Sequence, residues 1–269
     1  MEPKIKQIPH STLGMGAMWI PYEEKEITFI HPIEGPGTYE QLGKKITHSK
    51  IGTGEIVYDR PTPTGEHTAY LLHGAYCYPE LRSTPINDEA FIPIRRALRD
   101  RGLWVFQQCL WTKEGVYVVD DSQAKGLTEK LTPDSLEERL QGSTTVDGIR
   151  ISPDKSVRFA SKKTYRINYC TEYDRKSLIK NGFVLASYGK RGAELLDEVS
   201  KDIYPTGNTR VCIPGTIRHP SLLPLQTISY VKADWPNGLT LCSSYEGERY
   251  AMELSGIRTP RWVSPQWKD

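Results

Sequence analysis

The chain has 269 residues, of which 38% are apolar and 25% charged, with a net charge of +2. That length makes one large domain or two modest ones, and the composition excludes disordered, fibrous and helical membrane-spanning classes. Charge is uneven: Arg150 to Arg191 holds 11 Lys and Arg against 3 Asp and Glu, while Glu114 to Glu138 holds 7 acidic and 2 basic residues. An acidic segment adjoining a basic one is the strongest compositional feature of the chain.

Met1 to Tyr22 has no clear periodicity and is expected to lie over the surface or add an edge. Residues 1–20 lack the continuous apolar core of a secretory leader, so a cytoplasmic, soluble protein without membrane contact is expected. EITFIH, Glu26 to His31, reads as a strand, and residues 35–37 as a turn. Thr38 with Gln41 makes a capping-box pattern that opens a helix towards Ile46. Ile51 to Tyr58 is a weak strand at most. A further helix starts near Thr64, where prolines give way to an apolar run, and ends before Pro79.

Asn87 to Asp121 is the expected folding centre. Asn87 reads as an N-cap, with Asp88 and Glu89 favoured by the helix dipole. Phe91, Ile94 and Leu98 share one helix face, Pro93 is tolerable in the first turns, and Gly102 ends the helix. Leu103 to Trp111 is apolar on both alternating faces and reads as one strand covered on both sides. Thr112 to Gly115 forms a loop, and Val116 to Val119 returns as a second strand.

Thr132 and Pro133 open a short helix as N-cap and first residue. Residues 142–147 form the best linker, dividing an α+β domain at 1–141 from a β-rich α+β domain at 148–269, with a single domain as the alternative. Beyond it, GIRIS and SVRFAS form a hairpin about Pro153 and Asp154, and TYRINYC is a third strand. DRKSLIKNG is a helix stopped at Gly182, FVLASY an apolar strand, and GAELLDEVSKD an amphipathic helix. The last third reads as an antiparallel meander. The fold class is therefore α+β, with a helix-richer N-terminal half built on the helix–strand–hairpin unit and a β-richer C-terminal half.

The first candidate site is GKRG. Gly189, Lys190, Arg191 and Gly192 fall between an expected strand and a helix, where unpaired N–H groups attract anions and glycines let a phosphate approach the backbone. This is neither the P-loop nor the dinucleotide fingerprint. Arg158, Lys162, Lys163 and Arg166 extend the basic segment, with Phe159, Tyr165 and Tyr169 interleaved. Cations neutralise phosphates and exposed rings stack bases, although packed rings over a solvated basic face explain the pattern equally well.

A second candidate is His73 with Cys77, four apart on one helix face, a pairing used in nucleophilic catalysis and in zinc sites. Asp120 and Asp121 end a strand, where carboxylates can hold Mg²⁺, but Asp-Asp-Ser is also ordinary turn chemistry. No cofactor and no metal is expected. Cys77, Cys109, Cys170, Cys212 and Cys242 are scattered and form no CxxC pair, so no disulfide framework is expected either. The leading expectation is a non-catalytic binding protein that engages a phosphate-bearing or polyanionic ligand, nucleic acid being one such ligand, through residues 150–191. The alternatives are a small-molecule enzyme using the Cys/His pair or strand-end carboxylates, and a module that binds a protein partner.

Overall fold

The computed structural model describes residues 2–7, 16–22, 25–48, 62–121, 131–165, 170–203, 209–212, 221–224, 227–231, 238–242 and 249–258. The weak strand expected at 51–58 lies outside them. The chain begins with three antiparallel strands, β1 (Lys4–Gln7), β2 (Gly16–Tyr22) and β3 (Lys25–Gly37), with β1 at the sheet edge. β3 continues through residues 35–37, with a register shift against its partner strand there, so the turn expected at that point is corrected to an irregular stretch of strand.

Helix α1 (Tyr39–His48) starts as its capping box dictates: the Gln41 N–H donates to Thr38 Oγ1, and the Thr38 N–H to Gln41 Oε1. Helix α2 (Gly65–Tyr76) is capped by Thr64, whose hydroxyl accepts from the His67 N–H while the His67 ring takes the Thr64 N–H. Asn87 does not cap the next helix. Residues Asn87–Phe91 form a π-helical turn, and helix α3 (Ile92–Asp100) follows, with Pro93 in its first turn. Asn87 is held instead by Arg82 O and Arg95 Nη1. Gly102, at φ 85°, ends the unit as expected.

Leu103 to Trp111 is not one strand. It is β4 (Leu103–Trp104) in one sheet and β5 (Gln107–Trp111) in another. Val105 and Phe106 cross between them. The Phe106 N–H donates to Pro63 O, and Phe106 O accepts from the Asp121 N–H, so the crossing backbone is satisfied outside either ladder. Every residue from Gly102 to Thr112 is buried, which is why the apolar pattern looked continuous. β6 (Gly115–Asp120) returns beside β5 as expected.

Helix α4 (Pro133–Arg139) begins at the Thr132 cap. Residues 142–147, expected as a linker, include β7 (Thr144–Val146), which forms a hairpin with β8 (Ile149–Ile151). β8 pairs in turn with β9 (Val157–Ser161) across the Pro153–Asp154 turn. Residues Lys162–Thr164 then form a 3₁₀ turn. Of the third expected strand, residues 166–169 lie outside the described residues, and β10 (Cys170–Tyr173) belongs to the other sheet.

Two further corrections concern the helices. The helix expected over DRKSLIKNG is a single turn, α5 (Arg175–Leu178), capped by Asp174. Gly182 does not stop it but opens α6 (Gly182–Ile203), so FVLASY is helix and not strand. Phe183 to Tyr188 are all buried, and an apolar run on all sides of a buried helix cannot be told from a covered strand by periodicity.

The remaining strands are β11 (Thr209–Cys212), β12 (Ser221–Pro224), β13 (Thr227–Val231), β14 (Gly238–Cys242) and β15 (Arg249–Arg258). They do not form a meander: β11 and β14 are parallel, and β15 pairs with β3 and β4. The nine-stranded sheet runs β1-β2-β3-β15-β4-β13-β14-β11-β10, and the six-stranded one β12-β5-β6-β9-β8-β7. Both draw strands from either side of residues 142–147, so a boundary there separates neither sheet. The fold is mixed helix and strand with largely antiparallel sheets.

The main core joins the two sheets through α2, α3 and α6. Met18, Phe29, Leu103, Val211 and Leu241 come from one sheet, and Trp111, Val118 and Ala160 from the other. Trp104 and Phe106 pack with Tyr39, Leu42 and Ile46 of α1 in a second cluster. A third, under α4, holds Leu110, Tyr117, Val119 and Val157.

Candidate functional site

The pairing of β6 with β9 lays the acidic segment beside the basic one. Arg158 grips the Asp120 carboxylate with both terminal nitrogens, and each side chain is only 17% exposed. Gln107 Nε2 completes the group, donating to Asp120 Oδ1 at 2.8 Å and to Ser187 O at 3.0 Å. Arg150 makes a second two-pronged pair, with Glu137 at 2.9 and 3.0 Å, and its guanidinium lies over Phe159. Those Arg150 bonds, aided by Tyr117, hold the Glu137 carboxyl below its ordinary value against the opposing effect of burial. The charge asymmetry of the sequence is thus partly an internal match between neighbouring strands.

Two further arginines of the segment are also engaged. Arg175 lies 3.9 Å from Asp197, and Arg191 is 3.1 Å from Glu194 one helical turn on. GKRG follows a helical turn, not a strand. Gly189 has φ 68° and ψ 171°, a conformation closed to other residues, and it breaks α6 so that Lys190 begins a new run. The space in front of that break already holds a carboxylate: a Cβ on Gly189 would sit 3.5 Å from Glu66 Oε1. Of the four residues, Lys190 and Arg191 are exposed.

The lysines behave differently. Lys162, Lys163, Lys176 and Lys180 are exposed, and none forms an ion pair among the described residues. Two of the stretches that carry them meet. A Cβ on Gly182 would collide with Thr164 Oγ1 at 1.9 Å, so the 3₁₀ turn carrying Lys162 and Lys163 is pressed against the start of α6, two residues after Lys180. α5, which carries Lys176, also packs on α6. Arg166 lies outside the described residues. The two described rings of the segment have packing partners of their own. Phe159 packs on Tyr117 at 4.6 Å, Tyr165 is 8% exposed and makes a T-shaped contact with Trp111, and Tyr169 is outside the described residues.

His73 and Cys77 do not act on each other. His73 Nε2 is 2.9 Å from Glu198 Oε2, bridging α2 and α6, and burial lowers its pKa despite that carboxylate. Burial, with Asp202 and Glu198 nearby, pushes the Cys77 thiol up to about 12, so it carries no thiolate at neutral pH. Asp121 is buried, accepting from the Tyr39 hydroxyl at 2.7 Å, while its carbonyl accepts from Thr62 Oγ1. Asp120 and Asp121 therefore face separate partners. Among the described residues no group of three or more His, Cys, Asp or Glu could hold a metal ion, and no helix is long and apolar enough to cross a membrane.

Two residues near Asp120 escaped the sequence reading. His67, at the start of α2, has its pKa lowered to about 4 by burial, with Arg158 adding to the effect and Asp120 opposing it. Its Nδ1 accepts the Thr64 N–H, so the proton sits on Nε2 and the ring acts as a donor rather than a base. Gln107 was legible only as a polar interruption of an apolar run. Gly65 admits the close packing here, since a Cβ would meet Ser187 O at 2.3 Å. Comparison with protein-family models, with curated proteins and with solved structures finds no match.

Proposed function

We propose that the protein is a non-catalytic binder of a polyanion, held through its phosphates by the lysine surface of Lys162, Lys163, Lys176 and Lys180. The observation that carries this reading is the contact between Thr164 and Gly182, which collects exposed cations from two separate stretches of chain. Lys190 extends the surface along α6. Arg158 drops out of the ligand set because Asp120 already neutralises it. The inward packing of Phe159 and Tyr165 favours phosphate recognition over base stacking, and with it a sequence-independent ligand such as duplex nucleic acid.

The test is a fluorescence titration of labelled duplex DNA at several salt concentrations. Wild type should bind with an affinity that falls steeply with salt as condensed counterions are released. Replacing the four lysines with Ala should flatten the salt slope by about 3.5 units, at about 0.9 per phosphate contact. Folding stability should scarcely change, because exposed charges contribute little to it. No binding at low salt, or equal binding by wild type and variant, overturns the proposal.

A further inference from the structure

One ladder row crosses the six-stranded sheet through Trp111, Val116, Ala160, Ile149 and Val146, a residue each from β5, β6, β9, β8 and β7. The first four are buried in the main core, and α6 packs on β6, β9 and β8. Val146, at the end of the row, is 52% exposed and is the large apolar side chain left uncovered among the described residues. β7 is the outermost strand of this sheet, and Thr144 and Thr145 are exposed with Val146. Sheet edges are ordinarily guarded by charge, Pro or a bulge. Gln141 to Val146 has no charged residue and no Pro, and β7 pairs with β8 without a register shift.

The turn beyond β7 fixes which backbone groups face outward. Asp147 and Gly148 have φ of 50° and 80°, as the two residues of a type I′ hairpin turn do. Such a turn joins a mutually hydrogen-bonded pair, here Val146 and Ile149. The next pair, Thr145 and Arg150, is then of the non-bonded kind, and Thr145 presents its N–H and C=O to the open edge. The same end of the sheet carries positive charge. A Cβ on Gly148 would lie 3.6 Å from Thr164 Cγ2, so the hairpin turn abuts the 3₁₀ turn of Lys162 and Lys163, and Thr164 in turn meets Gly182, two residues after Lys180. These three lysines are exposed. Asp147 opposes them with a single charge, while Lys113 and Glu114 of the β5–β6 loop offset each other.

We propose that β7 is a docking edge for an acidic segment of another protein, which adds to the sheet as a further antiparallel strand. Its backbone pairs with Thr145, an apolar side chain lies beside Val146, and its carboxylates meet the lysines at the turn. Strand addition draws affinity from main-chain hydrogen bonds. Here only Thr145 offers them, so complementary charge has to supply the rest. That requirement selects the occupant. A second copy, paired two-fold about Thr145, would set Ser143 and Gly142 beside the turn, uncharged residues that leave the lysines unmatched. An acidic segment matches them. An antiparallel strand reaches the turn with its N-terminal residues, so the acidic residues belong there. The inference shares with the polyanion reading the availability of these lysines, but does not need the ligand to be nucleic acid.

The test is an anisotropy titration at low salt with a fluorescein-labelled peptide, a run of glutamates followed by alternating valine and threonine. Wild type should bind it. Thr145→Pro removes the outward N–H without touching the β7–β8 ladder, and should weaken binding about tenfold, as the loss of one backbone hydrogen-bonded pair would. Opposed residues share a face, so a peptide threonine pairs with Thr145 and the valines flank Val146. Methylating the threonine nitrogens of the peptide should therefore abolish binding, and methylating the valine nitrogens should not. No binding by wild type overturns the proposal. So does equal binding of the two methylated peptides, which would mean attraction by charge alone, and that comparison stands even where Thr145→Pro fails to fold. Duplex DNA is titrated in parallel, and Thr145→Pro should leave its affinity unchanged. DNA binding without peptide binding removes the docking edge alone, and peptide binding without DNA binding removes the duplex reading alone.

Discussion

Replacing Arg158 with Met separates a residue of the fold from a residue of the ligand surface. The substitution keeps the stem that lies along β9 and removes the guanidinium, leaving the Asp120 carboxylate with Gln107 Nε2 as its remaining described partner. Breaking a fully buried pair costs about 3–5 kcal/mol, and an exposed pair is worth about 0–1 kcal/mol. With both side chains at 17% exposure the pair lies nearer the buried limit, and a loss of about 2–3 kcal/mol is expected. For a chain of this size that lowers Tm by roughly 5–10 °C. Asp120→Asn should also destabilise, and the double variant should lose less than the sum, with a coupling of about 1–2 kcal/mol. The assay is urea unfolding of wild type, both single variants and the double variant at neutral pH. Duplex-DNA affinity should be unchanged wherever the variant is folded. A stability loss under about 0.5 kcal/mol together with weakened binding would refute the reasoning and return Arg158 to the ligand surface.

His67 makes stability fall in mild acid. Its folded pKa of about 4 lies below the ordinary 6.5, so between those values the unfolded chain binds a proton that the folded chain refuses. Stability is full above pH 6.5 and declines as pH drops towards 4, by at most about 3 kcal/mol, since the ring is only partly buried. Urea midpoints at pH 7 and pH 5 should show the decline, and His67→Gln should flatten it; an unchanged slope would remove His67 as the cause. Phe106→Ala should cost about 3–5 kcal/mol, because Phe106 is fully buried with its ring 4.9 Å from Tyr39. A loss under about 1 kcal/mol would mean that the cluster beneath α1 contributes little to folding.

Local chemistry settled much of the chain without tertiary information. The caps at Thr38, Thr64 and Thr132, the stop at Gly102 and the hairpins β5–β6 and β8–β9 depend on neighbouring residues, and each appears where the residues place it. The failures share a cause. Leu103–Trp111 and Phe183–Tyr188 are buried on all sides, so their apolar runs carry no period to separate one strand from two, or a strand from a helix. Only packing between the two sheets decided them.

The charged residues divide in the same way. The sequence by itself determined that acidic and basic residues cluster in neighbouring segments. It did not determine that β6 and β9 would pair and join Arg158 to Asp120, because register between strands nearly forty residues apart is a property of the ladder. Nor could spacing reveal that Cys170, Cys212 and Cys242 hold matching register positions on neighbouring strands. They do so because β11 lies between β10 and β14, a sheet order that leaves no local trace. Local hydrogen bonding fixes where elements begin and end, whereas long-range strand pairing selects which side chains become neighbours.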